Sequence, residues 1–299
     1  MLGCANLCSG NFCLKWLNYS LNTQAKSTVE AQMIQSVSTL TLVAALAGLT
    51  LSAGAAPAPQ HIDVSQFKLS KNVESVVVPL PNEVFGALNK LGPVNWKEYV
   101  RSDRGNNFTE RPRIALLLGS VIADGFIAVQ AEDAPTVKDI GQRVLNLSKG
   151  IGVGSSITQH AKAIIEYADK RKWEMVRQEL DRTQNSVQAA MNEVHDEKLS
   201  QLVSLGGWLR GTEVLTAVVT KNFSSGGAEL LHQPDLLSHF ADQLKGMPEF
   251  NLQLLQDIQG ALNQFKPLID VGDQKISPES VKKINEITTR LDSAILTKE

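Results

Sequence analysis

Ala115–Asp133 reads ALLLGSVIADGFIAVQAED, and its interpretation decides the fold. The stretch is almost entirely aliphatic or small, with one acid, Asp124, at its middle. A lone carboxylate in an apolar segment must be paired or protonated, because an isolated buried charge is too costly to keep. Its length and its central acid both argue against a membrane span. The segment therefore reads as a buried helix with a charged partner elsewhere in the chain.

A second stretch matches it in texture. LGGWLRGTEVLTAVV, Leu205–Val219, is again apolar and rich in small residues, with Arg210 and Glu213 as its only charges. Gly119 and Gly125 thin the first stretch; Gly206, Gly207 and Gly211 thin the second. A glycine inside a helix costs roughly 1 kcal/mol relative to alanine, so these five need compensation. Close approach of two helix backbones supplies it. The two helices are expected to pack together at the centre of the domain, with Asp124 paired to Arg210 and Glu213 competing for Arg210 from one turn away. The opposing possibility is that Asp124-Gly125 breaks the first helix and leaves the acid in a turn.

Outward from this pair the chain reads as helices. Asn82 or Pro81 opens a short helix that Gly92 stops. Thr109 is the expected cap before Ile114, and Asp133 the cap of the helix that ends at Gly150. Ser155 or Ser156 is expected to cap the next. From Trp173 the residues Val176, Leu180, Thr183, Val187, Ala190 and Val194 hold a 3-4 spacing for about six turns. Ser277-Pro278 starts a last helix whose stripe is Val281, Ile284, Thr288, Leu291 and Ile295. No convincing strand and no internal repeat is present. The fold class is all-α: a single bundle-like domain of about eight to ten helices over residues 81–299, with short links that suggest antiparallel neighbours.

The N-terminal part carries a different message. Met33 begins MIQSVSTLTLVAALAGLTLSAGAAPAPQ, in which Leu40–Leu51 is a run of 12 uncharged, mostly apolar residues. That is too short for a bilayer, which needs ~20, and fits the core of a secretory signal. Small residues at Ala53 and Ala55 place cleavage after Ala55. The expected organisation is an upstream misassigned or disordered segment 1–32, a signal peptide 33–55 and an extended linker 56–80. The nearest positive charges, Lys15 and Lys26, lie far upstream of the apolar run, which suggests translation from Met33. A peptide from Leu17–Lys26 in the precursor would refute that start.

The cysteines are Cys4, Cys8 and Cys13, so the mature chain has none and cannot mispair in an oxidising compartment. The same removal leaves 27 bases against 30 acids. No basic tract and an aromatic content of 5% argue against a nucleic-acid partner.

Candidate chemistry is sparse. SKGIGVGSS, Ser148–Ser156, places glycines before a helix but follows a helix rather than a strand and lacks a lysine, so it reads as a link and not a phosphate cradle. There is no G-x-S-x-G. His232, Asp235 and His239 are a weak metal-ligand candidate, with Pro234 separating His232 from the helix of the other two. Trp208, between glycines, is a candidate to line a pocket. No cofactor is implied. The expected protein is exported, periplasmic or extracellular. It acts as a non-catalytic interaction or ligand-binding module of the cell envelope, with an envelope protein or a small molecule as partner. No membrane span is expected in its mature chain. The alternative is a metal-dependent or acid/base enzyme using the buried Asp/Arg or the His/Asp cluster.

Overall fold

The structure, a computed structural model, describes residues 81–101, 108–193 and 196–297. All of them belong to the second of the two units into which the chain divides, His61–Glu299. The cysteines, the signal and linker segments, and the translation start lie outside the described residues.

The described residues are all-α, with nine helices of two turns or more and no strand. They are α1 (Pro81–Lys90), α2 (Arg111–Gln130), α3 (Ala134–Gly150), α4 (Gly154–Asp169), α5 (Trp173–Glu193), α6 (Glu197–Lys221), α7 (Pro234–Lys245), α8 (Gln253–Ile269) and α9 (Pro278–Leu296). A 3-10 turn, Trp96–Tyr99, lies between α1 and α2, and single helical turns at Ser225–Ala228 and Glu229–Leu231 link α6 to α7.

The helix starts follow ordinary capping chemistry in part. Asp133, Asp196 and Ser277 each accept a backbone N–H of the first turn with their side chains. Proline occupies the first turn of α2, α3, α7 and α9, where its missing N–H costs nothing. Two expected caps are displaced. α2 is preceded by Glu110, not Thr109, and α4 by Val153, not Ser155 or Ser156; neither residue makes a side-chain cap bond.

The links α2–α3, α3–α4 and α4–α5 are three residues each: 131–133, 151–153 and 170–172. Each has a left-handed residue at its centre: Glu132 (φ 54°), Gly152 (φ 91°) and Arg171 (φ 54°). The following N–H closes back on the helix, Asp133 to Ala128, Val153 to Ser148 and Lys172 to Tyr167, at 2.8–3.0 Å. All three are Schellman stops, which satisfy the last carbonyls and fold the next helix back onto its neighbour. α2 through α5 accordingly pack in sequence, each on the next.

α6 then returns to the front of the series and makes the most extensive contact of the domain, against α2. Their backbones touch. A Cβ on Gly119 would lie 1.8 Å from the Val203 carbonyl oxygen, and one on Gly206 would lie 2.0 Å from that of Leu116. A Cβ on Gly207 would lie 3.4 Å from the Gly119 carbonyl oxygen. The other two glycines have different surroundings: Gly125 faces the Ile140 side chain, and a side chain on Gly211 would meet open space. α9 covers the other side of α6, and α8 packs on both α7 and α9. The main core joins Leu116, Leu117, Leu202, Leu205, Leu209, Ile258, Phe265 and Ile284 across these helices.

α2 does not break at Asp124-Gly125 but runs through it as one helix. Its 20 residues meet the length and composition of a membrane span, with mean hydropathy 1.7 over an 18-residue window, so length is no argument against one. Most of its surface is covered by other helices. At its start the buried Arg113 donates to the Thr297 carbonyl at 2.5 Å, completing the C-terminal end of α9 with a cation.

The glycine contacts give a controlled prediction. Gly119→Ala must push two backbones apart and is expected to destabilise by ~1–3 kcal/mol or more. Gly211→Ala, exposed and unobstructed, is expected to be neutral or to stabilise by up to ~1 kcal/mol. Denaturant midpoints of the two variants check this; equal effects would mean that the close approach is not limiting.

Candidate functional site

The charges of α2 and α6 meet where those helices, α9 and the Trp96–Arg101 segment converge. Asp124 lies one turn beyond Ser120 on the same face of α2, and Glu213 lies one turn beyond Arg210 on α6. Arg210 Nε donates to Asp124 Oδ1 at 2.7 Å. Its Nη1 donates to Glu213 and its Nη2 to the Tyr99 carbonyl. The same guanidinium therefore holds α2, its own helix and the incoming loop.

A second arginine shares the acid. Arg101 Nη2 lies 2.6 Å and its Nε 2.9 Å from Asp124 Oδ2, and Nη2 also donates to Ser120 Oγ at 2.7 Å. Ser120 Oγ in turn donates to Asp292 Oδ1 of α9 at 3.2 Å. Asp292 Oδ2 and Arg101 Nη1 face each other at 3.4 Å, and neither has a hydrogen bond. Asn285 of α9 extends the network by donating to the Glu213 carbonyl and to Thr216.

Asp124, Glu213 and Asp292 face Arg101 and Arg210, which leaves one acid in excess. Burial opposes the charge on Arg210, but Asp124, Glu213 and Asp292 more than offset it and hold its pKa above the usual arginine value. At Asp292 burial dominates. It pushes the carboxyl up to about 6, against the pull of Arg101 and Arg210 and with the repulsion of Glu213 and Asp124. A proton on Asp292 is the charge that balances the cluster. The chemistry available here is proton binding and the fastening of three helices. Asp124, Arg210 and Asp292 are 2%, 3% and 4% exposed, so no molecule from solvent reaches them.

The remaining candidates do not join this cluster. Trp208 is half-buried, stacks at a tilt on Phe240 (5.5 Å) and edge-on to Phe265 (6.1 Å), and donates Nε1 to Gln233 at 3.0 Å. Its ring is packing between α6, α7 and α8 and borders neither of the surface clefts at Phe223 and Arg290. His232, Asp235 and His239 are not brought together as a ligand set. α7 begins at Pro234, which leaves His232 outside the helix, and His232 faces Glu229 at 4.0 Å. The His239 ring lies against Phe240. Among the described residues no group of three His, Cys, Asp or Glu could hold a metal ion.

Arg101 and Asp292 are the partners that the sequence reading missed. Arg101 sits in a loop, where no periodicity marks it. Asp292 did leave a signal: it lies four residues after Thr288 and beside Leu291, on the buried face of α9. A second polar trio also escaped notice. His160 of α4 bridges Glu179 and Ser186 of α5, at 2.6 Å from Nδ1 and 2.8 Å from Nε2.

No family model matches the chain. No curated protein matches it, and no solved structure matches it.

Asp124→Asn takes the charge from the buried Arg210 and the half-buried Arg101 and is expected to cost ~3–5 kcal/mol. The pH dependence has the opposite sign to that of an ordinary salt-bridged acid. Asp292 titrates near 6 when folded and at its ordinary 3.8 when unfolded, so the folded state binds more protons between those values. Its contribution to stability therefore rises as pH falls from 8 through 6, by about 1 kcal/mol at pH 5. Asp292→Asn is expected to remove that slope in urea unfolding curves across this range.

Proposed function

We propose that the chain is an exported helical module of the cell envelope, periplasmic or released from the cell, that acts by binding at its surface. One observation carries the second half of this reading. At the centre of the charge network both oxygens of Asp124 and every side-chain nitrogen of Arg210 are bonded to groups of the same chain. Acid/base chemistry at this network would need at least one of these groups to meet a substrate. The network serves instead as an internal fastening, which leaves the exterior to act.

Among the described residues one large apolar side chain stands exposed. Phe223 is a large apolar side chain that stands 44% exposed, just past the end of α6. It lines a cleft of about 330 Å³ with Thr220, Pro278, Glu279 and Lys282. An apolar ring flanked by charges of both signs suits an envelope protein or a small amphipathic molecule.

Export rests on the apolar run Leu40–Leu51 and the small residues before Ala56. The full chain, produced in a bacterium and fractionated, is expected in the periplasm or medium with Ala56 as its N-terminal residue. Cytoplasmic protein that keeps residues 33–55 overturns the export reading.

A further inference from the structure

The α4–α5 hairpin carries three side chains in a line. Glu179 and Ser186 are two turns apart on α5 and so share a face; His160 reaches them from α4. Glu179 Oε1 is 2.6 Å from His160 Nδ1, and His160 Nε2 is 2.8 Å from Ser186 Oγ. Glu179 is buried, and its second oxygen accepts from Arg182 Nη1 at 2.9 Å.

Hydrogen-bonding rules order the protons along this line when the imidazole is neutral. An ionised carboxylate can only accept, so the neutral imidazole carries its hydrogen on Nδ1. Nε2 then has a lone pair, and Ser186 must be the donor to it. The neutral imidazole has two tautomers. A carboxylate at Nδ1 selects the one in which Nε2 is a base aimed at a hydroxyl. This is the relation that activates a serine: nucleophile to base, base to an orienting acid. Arg182 lies one turn before Ser186, on the same face. It spends one nitrogen on Glu179 and is 59% exposed, so further N–H donors face solvent.

We infer that this hairpin hydrolyses small, unhindered acyl esters, with Ser186 as nucleophile, His160 as general base and Arg182 as the cation met by the developing oxyanion. Glu179 is the positioning residue. The trio lies on helix faces without an enclosing pocket among the clefts described, so the substrate class is an ester whose carbonyl is exposed. In the first step Ser186 Oγ bonds to the acyl carbon while its proton passes to His160 Nε2. The ester C–O bond breaks, and the leaving alcohol takes that proton. Water then adds to the acyl-serine with His160 again as base, which releases the carboxylic acid and restores Ser186. No oxidant, metal or second substrate besides water is needed. The activity is separate from surface binding, and its test does not depend on where the protein is exported.

The full chain is treated with p-nitrophenyl acetate and, separately, with an alkyl fluorophosphonate. The expected result is nitrophenol release at least ~100-fold faster than that of Ser186→Ala, and one phosphonyl adduct per chain, on the peptide containing Ser186. His160→Ala is expected to lose both. Glu179→Gln separates positioning from packing. The carboxamide can still bond to His160 but can donate to Nδ1, which favours the wrong tautomer. Its thermal midpoint should stay near that of the wild type while labelling falls by ~100-fold or more. Absence of an adduct, an adduct on another residue, or an unchanged rate in Ser186→Ala overturns the inference. Wild-type labelling of Glu179→Gln overturns the role given to Glu179.

Discussion

The rest of the domain depends on the backbone contact between α2 and α6. Helices normally stand apart by the thickness of their side chains. Here Gly119 and Gly206 remove that spacing, and each peptide group lies where a Cβ would otherwise be. Such a contact gains dispersion energy along both helices but leaves no room for adjustment. It also fixes the register of Asp124 against Arg210, since each lies about one turn past its contacting glycine. The geometry of the ion network therefore follows from the steric contact.

The network in turn explains why the segment around Trp96 and Arg101 belongs to the core. A single Asp124–Arg210 pair would leave carboxylate lone pairs and guanidinium protons without partners inside an apolar interior. Desolvation would then outweigh the Coulombic attraction. The Tyr99 carbonyl, Arg101 and Ser120 supply the missing bonds. Trp96, buried against Ile127, Val214 and Val218, holds that segment in place from the apolar side. The excess acid, Asp292, then acts as the variable charge of a cluster that is otherwise fixed.

What was legible in the sequence was what depends on local order. The 3-4 stripe from Trp173 and the Ser277 start identify α5 and α9, and the thinned segments around Gly119 and Gly206 identify two helices that touch. The links were legible only where glycine marks them. Gly152 signals a left-handed stop, whereas Glu132 and Arg171 adopt the same conformation without the residue type that favours it. Of the side-chain partners supplied from outside a helix, Arg210 was legible because Asp124, alone in an apolar stretch, must be paired, whereas partners under no such constraint were not. Arg101 reaches Asp124 across 23 positions and Asp292 meets Ser120 across 172. His160, Glu179 and Ser186 align only once the α4–α5 link fixes which faces meet.

That link connects architecture with chemistry. The three-residue turn 170–172 closes α5 back on α4 through the Lys172–Tyr167 bond, and its length leaves little freedom in their relative rotation. His160 is ten residues before the turn and Glu179 seven after it, so both lie within three turns of a rigid end. A polar line assembled so close to a tight hairpin needs no contribution from the central network. The domain thus separates two uses of ionisable groups. Those at the centre are closed and tie helices together. Those on the outer hairpin keep a hydroxyl, an imidazole and a guanidinium in partial contact with water, where a reacting carbonyl could meet them.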